Sequence, residues 1–179
     1  MVQDPFWKLL GDRRQDLPDV LRSFHETIPA RYTGQVSVIH GRSWLARTMA
    51  RLAGFPDAAA DLPFQLDVEE QDGVFKWTRQ FGLHTSVSHA WLEGDHVCEK
   101  FGPFRLLMHS EVNGDRLKIS IDKMIAFGIN LPDALTPKSE SVESLDEAGR
   151  YVFDISAYSP WEELLVRYNG WMVPSPLPL

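Results

Sequence analysis

From residue 62 onward, apolar and polar residues alternate one by one. Phe64, Leu66 and Val68 are interleaved with Gln65, Asp67 and Glu69, the period of a strand with one face buried. Comparable runs cover 74–81, 83–92, 96–101, 104–112 and 117–121. Between them stand Asp72-Gly73, Gly82, Gly94-Asp95, Gly102-Pro103 and Asn113-Gly114, short steps of the kind that reverse a chain within two residues. Turns this tight make consecutive strands antiparallel neighbours. Residues 62–128 are therefore predicted to form one antiparallel meander, turning at Asp72-Gly73, Gly94-Asp95 and Asn113-Gly114. After a loop rich in turn residues at 130–140, strands are predicted over 141–146 and 150–158, meeting at Glu147-Ala148-Gly149, and over 164–173.

Before residue 62 the period is helical. Leu17, Val20, Leu21 and Phe24 recur at helix spacing behind an N-cap at Asp16 and Pro18 in the first turn, and Pro29 ends the segment. A strand is predicted over 31–40. A second helix follows, capped by Ser43, with Trp44, Leu45, Thr48, Met49 and Leu52 as its apolar stripe and Gly54 and Pro56 as its stop. The expected fold is mainly β, a curved antiparallel sheet or an up-and-down β-barrel of about nine to ten strands with one or two N-terminal helices. Closure would remove exposed edges, and the alternation fits the curved sheet and the closed barrel alike. A helix-grip fold is the rival, but it usually ends in a long helix and this chain ends in a strand. Residues 1–174 are read as a single β-rich domain and 175–179 as a Pro-rich tail.

Composition narrows the function classes. A chain of 179 residues buries a sizeable core without staples. Its net charge of -7 argues against nucleic acid as a partner and, globally, against an anionic membrane surface. Arg42, Arg47 and Arg51 nevertheless give the second helix a basic edge, for which a solvated face is the plain explanation. The one cysteine, Cys98, forms no intramolecular disulfide and reads as an inert thiol in a strand. The N-terminal residues do not resemble a signal peptide, and no apolar run is long enough for a membrane span. A cytoplasmic location is expected by elimination.

Several stretches look familiar together: Trp77-Thr78-Arg79-Gln80-Phe81-Gly82, Glu99-Lys100-Phe101-Gly102-Pro103, the Pro132 to Pro137 loop, and Arg167-Tyr168-Asn169-Gly170-Trp171-Met172-Val173-Pro174. They resemble a bacterial family of unknown function, DUF4166, over about Phe6 to Pro174. Members stand alone or behind nucleotide-binding domains similar to saccharopine dehydrogenases and short-chain epimerases. The resemblance implies no activity. At most it implies a nucleotide-binding oxidoreductase as partner, one that acts on a small metabolite. This chain has no G-x-G-x-x-G following a strand, so no dinucleotide cofactor is expected of it, and no other cofactor is called for.

The candidate chemistry comes from polar residues among aromatics. Phe75, Trp77, Arg79 and Phe81 share one face of their strand; Thr85, Val87, His89 and Trp91 share one face of the next; Val97, Glu99 and Phe101 share another. Directed inward, these faces place Arg79, His89 and Glu99 in an apolar interior, with Trp77 and Trp91 beside them. Buried charges need partners, and an Arg79–Glu99 pair is the first expectation. One reading is an internal salt bridge that fixes strand register. The other is a ligand pocket in which Arg79 holds a carboxylate or other acceptor, Glu99 orients Arg79 and His89 moves a proton. The histidines show no H-x-x-x-H or H-x-H spacing, so no metal site is expected. Ser43 and Ser86 lack the setting of a nucleophile elbow.

Three functions follow. The first is a barrel that binds a small, partly apolar metabolite with Arg79 as polar anchor. The second is a cyclase or isomerase using His89 or Glu99 as acid or base. The third is an interaction domain with a filled core.

Overall fold

The computed structural model describes residues 3–177. Its elements in chain order are α1 (Pro5–Leu10), a 3-10 turn (Gly11–Asp16), α2 (Asp19–Glu26), β1 (Ala30–His40), α3 (Trp44–Leu52), β2 (Ala59–Gln71), β3 (Val74–Phe81), β4 (His84–Glu93), β5 (His96–Phe101), β6 (Phe104–Asn113), β7 (Arg116–Ala126), β8 (Ile129–Asn130), β9 (Lys138–Ser139), β10 (Ser141–Leu145), β11 (Tyr151–Tyr158) and β12 (Leu164–Ser175). A second 3-10 turn, Asp133–Leu135, lies between β8 and β9. Ten strands form a closed antiparallel barrel, and the short β8 and β9 lie outside it, on β7 and β11.

The meander from β2 to β7 runs through neighbouring strands as the alternation requires. Asp72 (φ 52°) and Gly73 (φ 81°) are both left-handed, the geometry that suits a two-residue turn in a right-twisted hairpin. At the Asn113-Gly114 step the turn lies one residue later than expected. Asn113 pairs with Arg116, so Gly114 (φ 65°) and Asp115 make the loop. β1 joins β2 on one side and β12 on the other. The ring closes where β10, paired with β11, also pairs with β7.

One end of the barrel is plugged by the N-terminal segment. Asp4 caps α1, its Oδ1 accepting from Trp7 N at 2.9 Å, and Pro5 sits where a missing N–H does no harm. Asp16 does not cap α2. It ends the 3-10 turn, and Pro18 stands at the N-cap. Trp7, Leu10, Leu17, Leu21 and Phe24 are buried in this plug, and both Phe6 and Phe24 meet the Trp77 ring edge-on.

α3 lies across the opposite end. Ser43 caps it as expected, Oγ accepting from Ala46 N at 3.0 Å. The face it buries is not the expected stripe. Ala46 and Ala50 are buried, while Trp44, Leu45 and Leu52 are exposed. Close approach explains the inversion. A Cβ on Gly41 would lie 2.8 Å from the Ala46 Cβ, and one on Gly102 would lie 2.3 Å from the Leu52 carbonyl oxygen. Only small side chains fit between α3 and the rim, so the large apolar ones turn outward.

The face assigned to β4 also needs correction. β3 and β4 pair with Trp77 opposite Ser88 and Arg79 opposite Ser86, and opposed residues share a face of the sheet. Ser86, Ser88 and Ala90 therefore point into the lumen and are buried, while Thr85, Val87 and His89 are exposed. A change of one residue in parity moves a whole strand's side chains to the other face.

At the C-terminus β12 continues to Ser175, two residues past the predicted strand end. Of the predicted tail, 178 and 179 lie outside the described residues, as do 1 and 2 at the other end.

Candidate functional site

Arg79 and Glu99 meet inside the barrel. Both are almost completely buried. Arg79 Nη2 donates to Glu99 Oε1 at 3.0 Å and Nη1 donates to Ser88 Oγ at 2.6 Å. Ser88 Oγ in turn donates to Glu99 Oε1 at 2.6 Å. The guanidinium lies 5.1 Å from the Trp77 ring centre and 5.3 Å from that of Phe101, favourable positions for a cation over aromatic faces. Charge neutralisation, hydrogen bonding and aromatic contact together make the buried pair tolerable. Its geometry follows from register. Ser88 is opposite both Trp77 and Phe101, so β3, β4 and β5 present these groups to one point.

Two cavities flank this cluster. The larger is about 120 Å³ and lies towards α3. Its walls are mainly apolar and include Met49, Phe55, Phe101, Met108, Ile121 and Ile155, with Glu99, Tyr168, Ser141 and Ser156 as polar members. Leu106, Ile121, Ile155 and Val166 line it yet are only half-buried, so the lumen is reachable from outside. The smaller, about 40 Å³, lies towards the plug and is lined by Arg79, Glu143, Tyr151, Tyr168 and Trp77 among others. Burial pushes the Tyr168 phenol up to about 12, against the pull of Arg79, so it presents a neutral hydroxyl at ordinary pH.

A second buried polar cluster was not visible in the sequence. His25 is fully buried between two carboxylates, with Nδ1 2.5 Å from Asp4 Oδ2 and Nε2 2.9 Å from Glu143 Oε2. It stacks on Trp7 at 5.4 Å. Burial by itself would lower its pKa, but Asp4 and Glu143 outweigh burial and raise it to about 10. His25 is thus an imidazolium donating from both nitrogens, and it ties the plug to β10. Tyr151 is raised well above its ordinary value by burial and by the neighbouring Glu143. The readable signal was Asp4-Pro5, a helix-start pair; nothing in the sequence links it to Glu143.

Other singled-out residues lie elsewhere. Trp77 is in the cluster, but its Nε1 is buried without a partner among the described residues. His89 is exposed on the outer face, bordering a surface groove with Glu69, Glu70 and Lys76. Trp91 is also outside the lumen, its Nε1 donating to Glu93 Oε2 at 3.1 Å. Neither joins Arg79 and Glu99, so the proton-moving role given to His89 has no geometry behind it. Cys98 is completely buried, and burial pushes its thiol up to about 11, where it is a poor nucleophile. Among the described residues, no group of three or more His, Cys, Asp and Glu is placed to hold a metal, and no helix is long and apolar enough to cross a membrane.

The barrel is similar to a crystal structure of a protein of unknown function from the DUF3598 family of Nostoc punctiforme. Identity is 14%, the TM-score is 0.49, and the match covers 83% of this chain. This chain spans 47% of that one, less than half its length. No curated protein matches the sequence. The model of a domain of unknown function, DUF4166, matches residues 17–172, nearly the whole barrel, and the chain belongs to that family.

Proposed function

We propose that this protein binds a small, largely apolar molecule in the α3 side of its lumen, with the molecule's polar end on Glu99 and Tyr168. The observation that carries this reading is the cavity of about 120 Å³, mainly apolar in its walls, with Glu99 and Tyr168 on one part of it and the hydroxyls of Ser139, Ser141 and Ser156 on another. A dry apolar cavity of about 150 Å³ is enough for benzene, so the ligand is the size of one ring or a short chain. Because Arg79 is already neutralised by Glu99, the anchor is better suited to a hydroxyl or amine donor than to a carboxylate. This revises the expectation that Arg79 itself grips an anion: its role is to hold Glu99 in place. The cavity also counts against a filled-core interaction domain. The oxidoreductase partner implied by the family resemblance would, on this reading, receive or deliver the bound metabolite.

Native mass spectrometry of protein purified from its own host tests the reading. The wild-type protein is expected to carry an additional small mass. Ile121→Trp, which places an indole into the cavity, is expected to lose that mass while keeping the wild-type circular dichroism spectrum. Wild-type protein that carries no mass and binds no one-ring hydroxyl probe such as phenol would sink the proposal.

A further inference from the structure

The α3 end of the barrel, towards which this cavity lies, carries large apolar side chains that face outward. Trp44 is 74% exposed, Trp161 71%, Phe127 67%, Ile129 68% and Leu83 fully so. All five lie on α3, on the short β8 or on the loops at that one end of the barrel. The loop carrying Trp161 is joined to the start of α3 by Ser43 N donating to Glu163 Oε1 at 2.9 Å. The end of α3 is joined to the β3–β4 turn, where Leu83 sits, by His84 Nε2 2.9 Å from the Gly54 carbonyl oxygen. The β5–β6 turn touches Leu52 and is bonded to Phe127, whose N–H donates to the Pro103 carbonyl at 3.0 Å. Isolated exposed apolar residues need no explanation, but five of them gathered at one end of a barrel mark an interaction surface.

The charges on α3 indicate what it meets. Residues 40–56 contain Arg42, Arg47 and Arg51 and no carboxylate, in a chain whose net charge is -7. Arg51 is engaged with Asp57; Arg42 and Arg47 have no ion pair among the described residues. Asp57, Glu162, Glu163 and Asp133 lie on the flanking loops, so the preference for anions belongs to the exposed face of α3 and not to the whole rim. A short helix showing tryptophan and leucine among arginines, with small residues turned inward, has the composition of an interfacial element. Beyond a Debye length of about 8 Å the chain's net negative charge is screened, and with Arg51 paired to Asp57 the unpaired charges on α3 and just before it are, among the described residues, Arg42 and Arg47.

We infer that the α3 end rests on an anionic lipid surface and that the lumen's ligand enters from it. This deepens the proposed function by naming the ligand's source, a membrane-dissolved small molecule, and only that second part rests on the cavity reading. Co-sedimentation of the full chain with vesicles of phosphatidylcholine alone, and of an equal mixture with phosphatidylglycerol, tests the docking. Two basic residues near an anionic surface correspond to a roughly thirtyfold preference for the mixture. Trp44→Ser with Trp161→Ser is expected to abolish binding to the mixed vesicles, and Arg42→Gln with Arg47→Gln to reduce it to the level seen with phosphatidylcholine. Both pairs are on the surface and should leave the circular dichroism spectrum unchanged. Wild-type protein that stays in solution with mixed vesicles, or binds them equally well without the two tryptophans, overturns the docking and leaves the rim to a protein partner. Ile121→Trp is expected to sediment as wild type does, so the cavity reading and the docking fail separately. If the double tryptophan variant, made in the same host, keeps the full bound mass, the ligand does not come through the membrane.

Discussion

Arg79 and Glu99, 20 residues apart in sequence, form a buried ion pair at 3.0 Å in which both partners also engage Ser88. Removing one member strands the other. Arg79→Met is expected to destabilise the protein by about 3–5 kcal/mol, whereas Arg79→Met combined with Glu99→Gln should recover most of the loss. Urea denaturation of the two single variants and the double variant forms the cycle. A double variant as unstable as the sum of the singles would show that the pair is not one energetic unit.

The imidazolium of His25 gives stability a particular pH dependence. Its folded pKa, about 10, is above the ordinary 6.5, so folding favours the protonated form. The contribution is complete below about pH 6.5 and is lost as pH rises towards 10, where folded and unfolded states bind the same number of protons. Thermal melts should fall across this alkaline window, and the fall should largely vanish in His25→Gln. That variant leaves Asp4 and Glu143 facing one another without a cation, so it is expected to be less stable than wild type at pH 6 by several kcal/mol, on the order of 3–5. Adding Glu143→Gln should restore part of the loss.

Two turn glycines separate backbone strain from packing. Gly94 (φ +64°) has nothing within 4 Å of an added Cβ, so Gly94→Ala bears only the left-handed backbone cost, about 1–2 kcal/mol. Gly102 (φ +49°) has the Leu52 carbonyl oxygen 2.3 Å from that position. Gly102→Ala should therefore be the more damaging of the two and should lift the end of α3. Hydrogen exchange is expected to quicken at 50–54 in Gly102→Ala and to be unchanged there in Gly94→Ala.

The hairpin meander was readable because each turn dipeptide and each two-residue alternation agree on it. The parity of β4 was not. In His84 to Glu93, Val87 and Trp91 mark one face and Ala90 the other, while the inward residues Ser86 and Ser88 look polar. Ser88 is buried there because Arg79 and Glu99 both bond its hydroxyl, a demand arising from neighbouring strands; Ser86 Oγ has no partner among the described residues. The stripe on α3 misled for a related reason, since close approach to the rim selects alanine over leucine. Arg79 and Glu99 stood out as charges on aromatic faces. His25 did not, because its partner Glu143 is 118 residues away and only closure of the ring joins them.

That ring is not equally strong all the way round. β1 and β12 are held by ten residue pairs, whereas β7 and β10 meet over three, from Leu117–Glu143 to Ile119–Ser141. The circumference therefore has a hinge line. Ile121, Ser139 and Ser141, which lie along it, also form one wall of the larger cavity. On the proposed reading, a guest too bulky for the resting volume would be accommodated there at the loss of a few ladder hydrogen bonds, with the rest of the barrel keeping its register. If the lumen binds as proposed, its selectivity is set as much by the elasticity of this seam as by the space measured inside it.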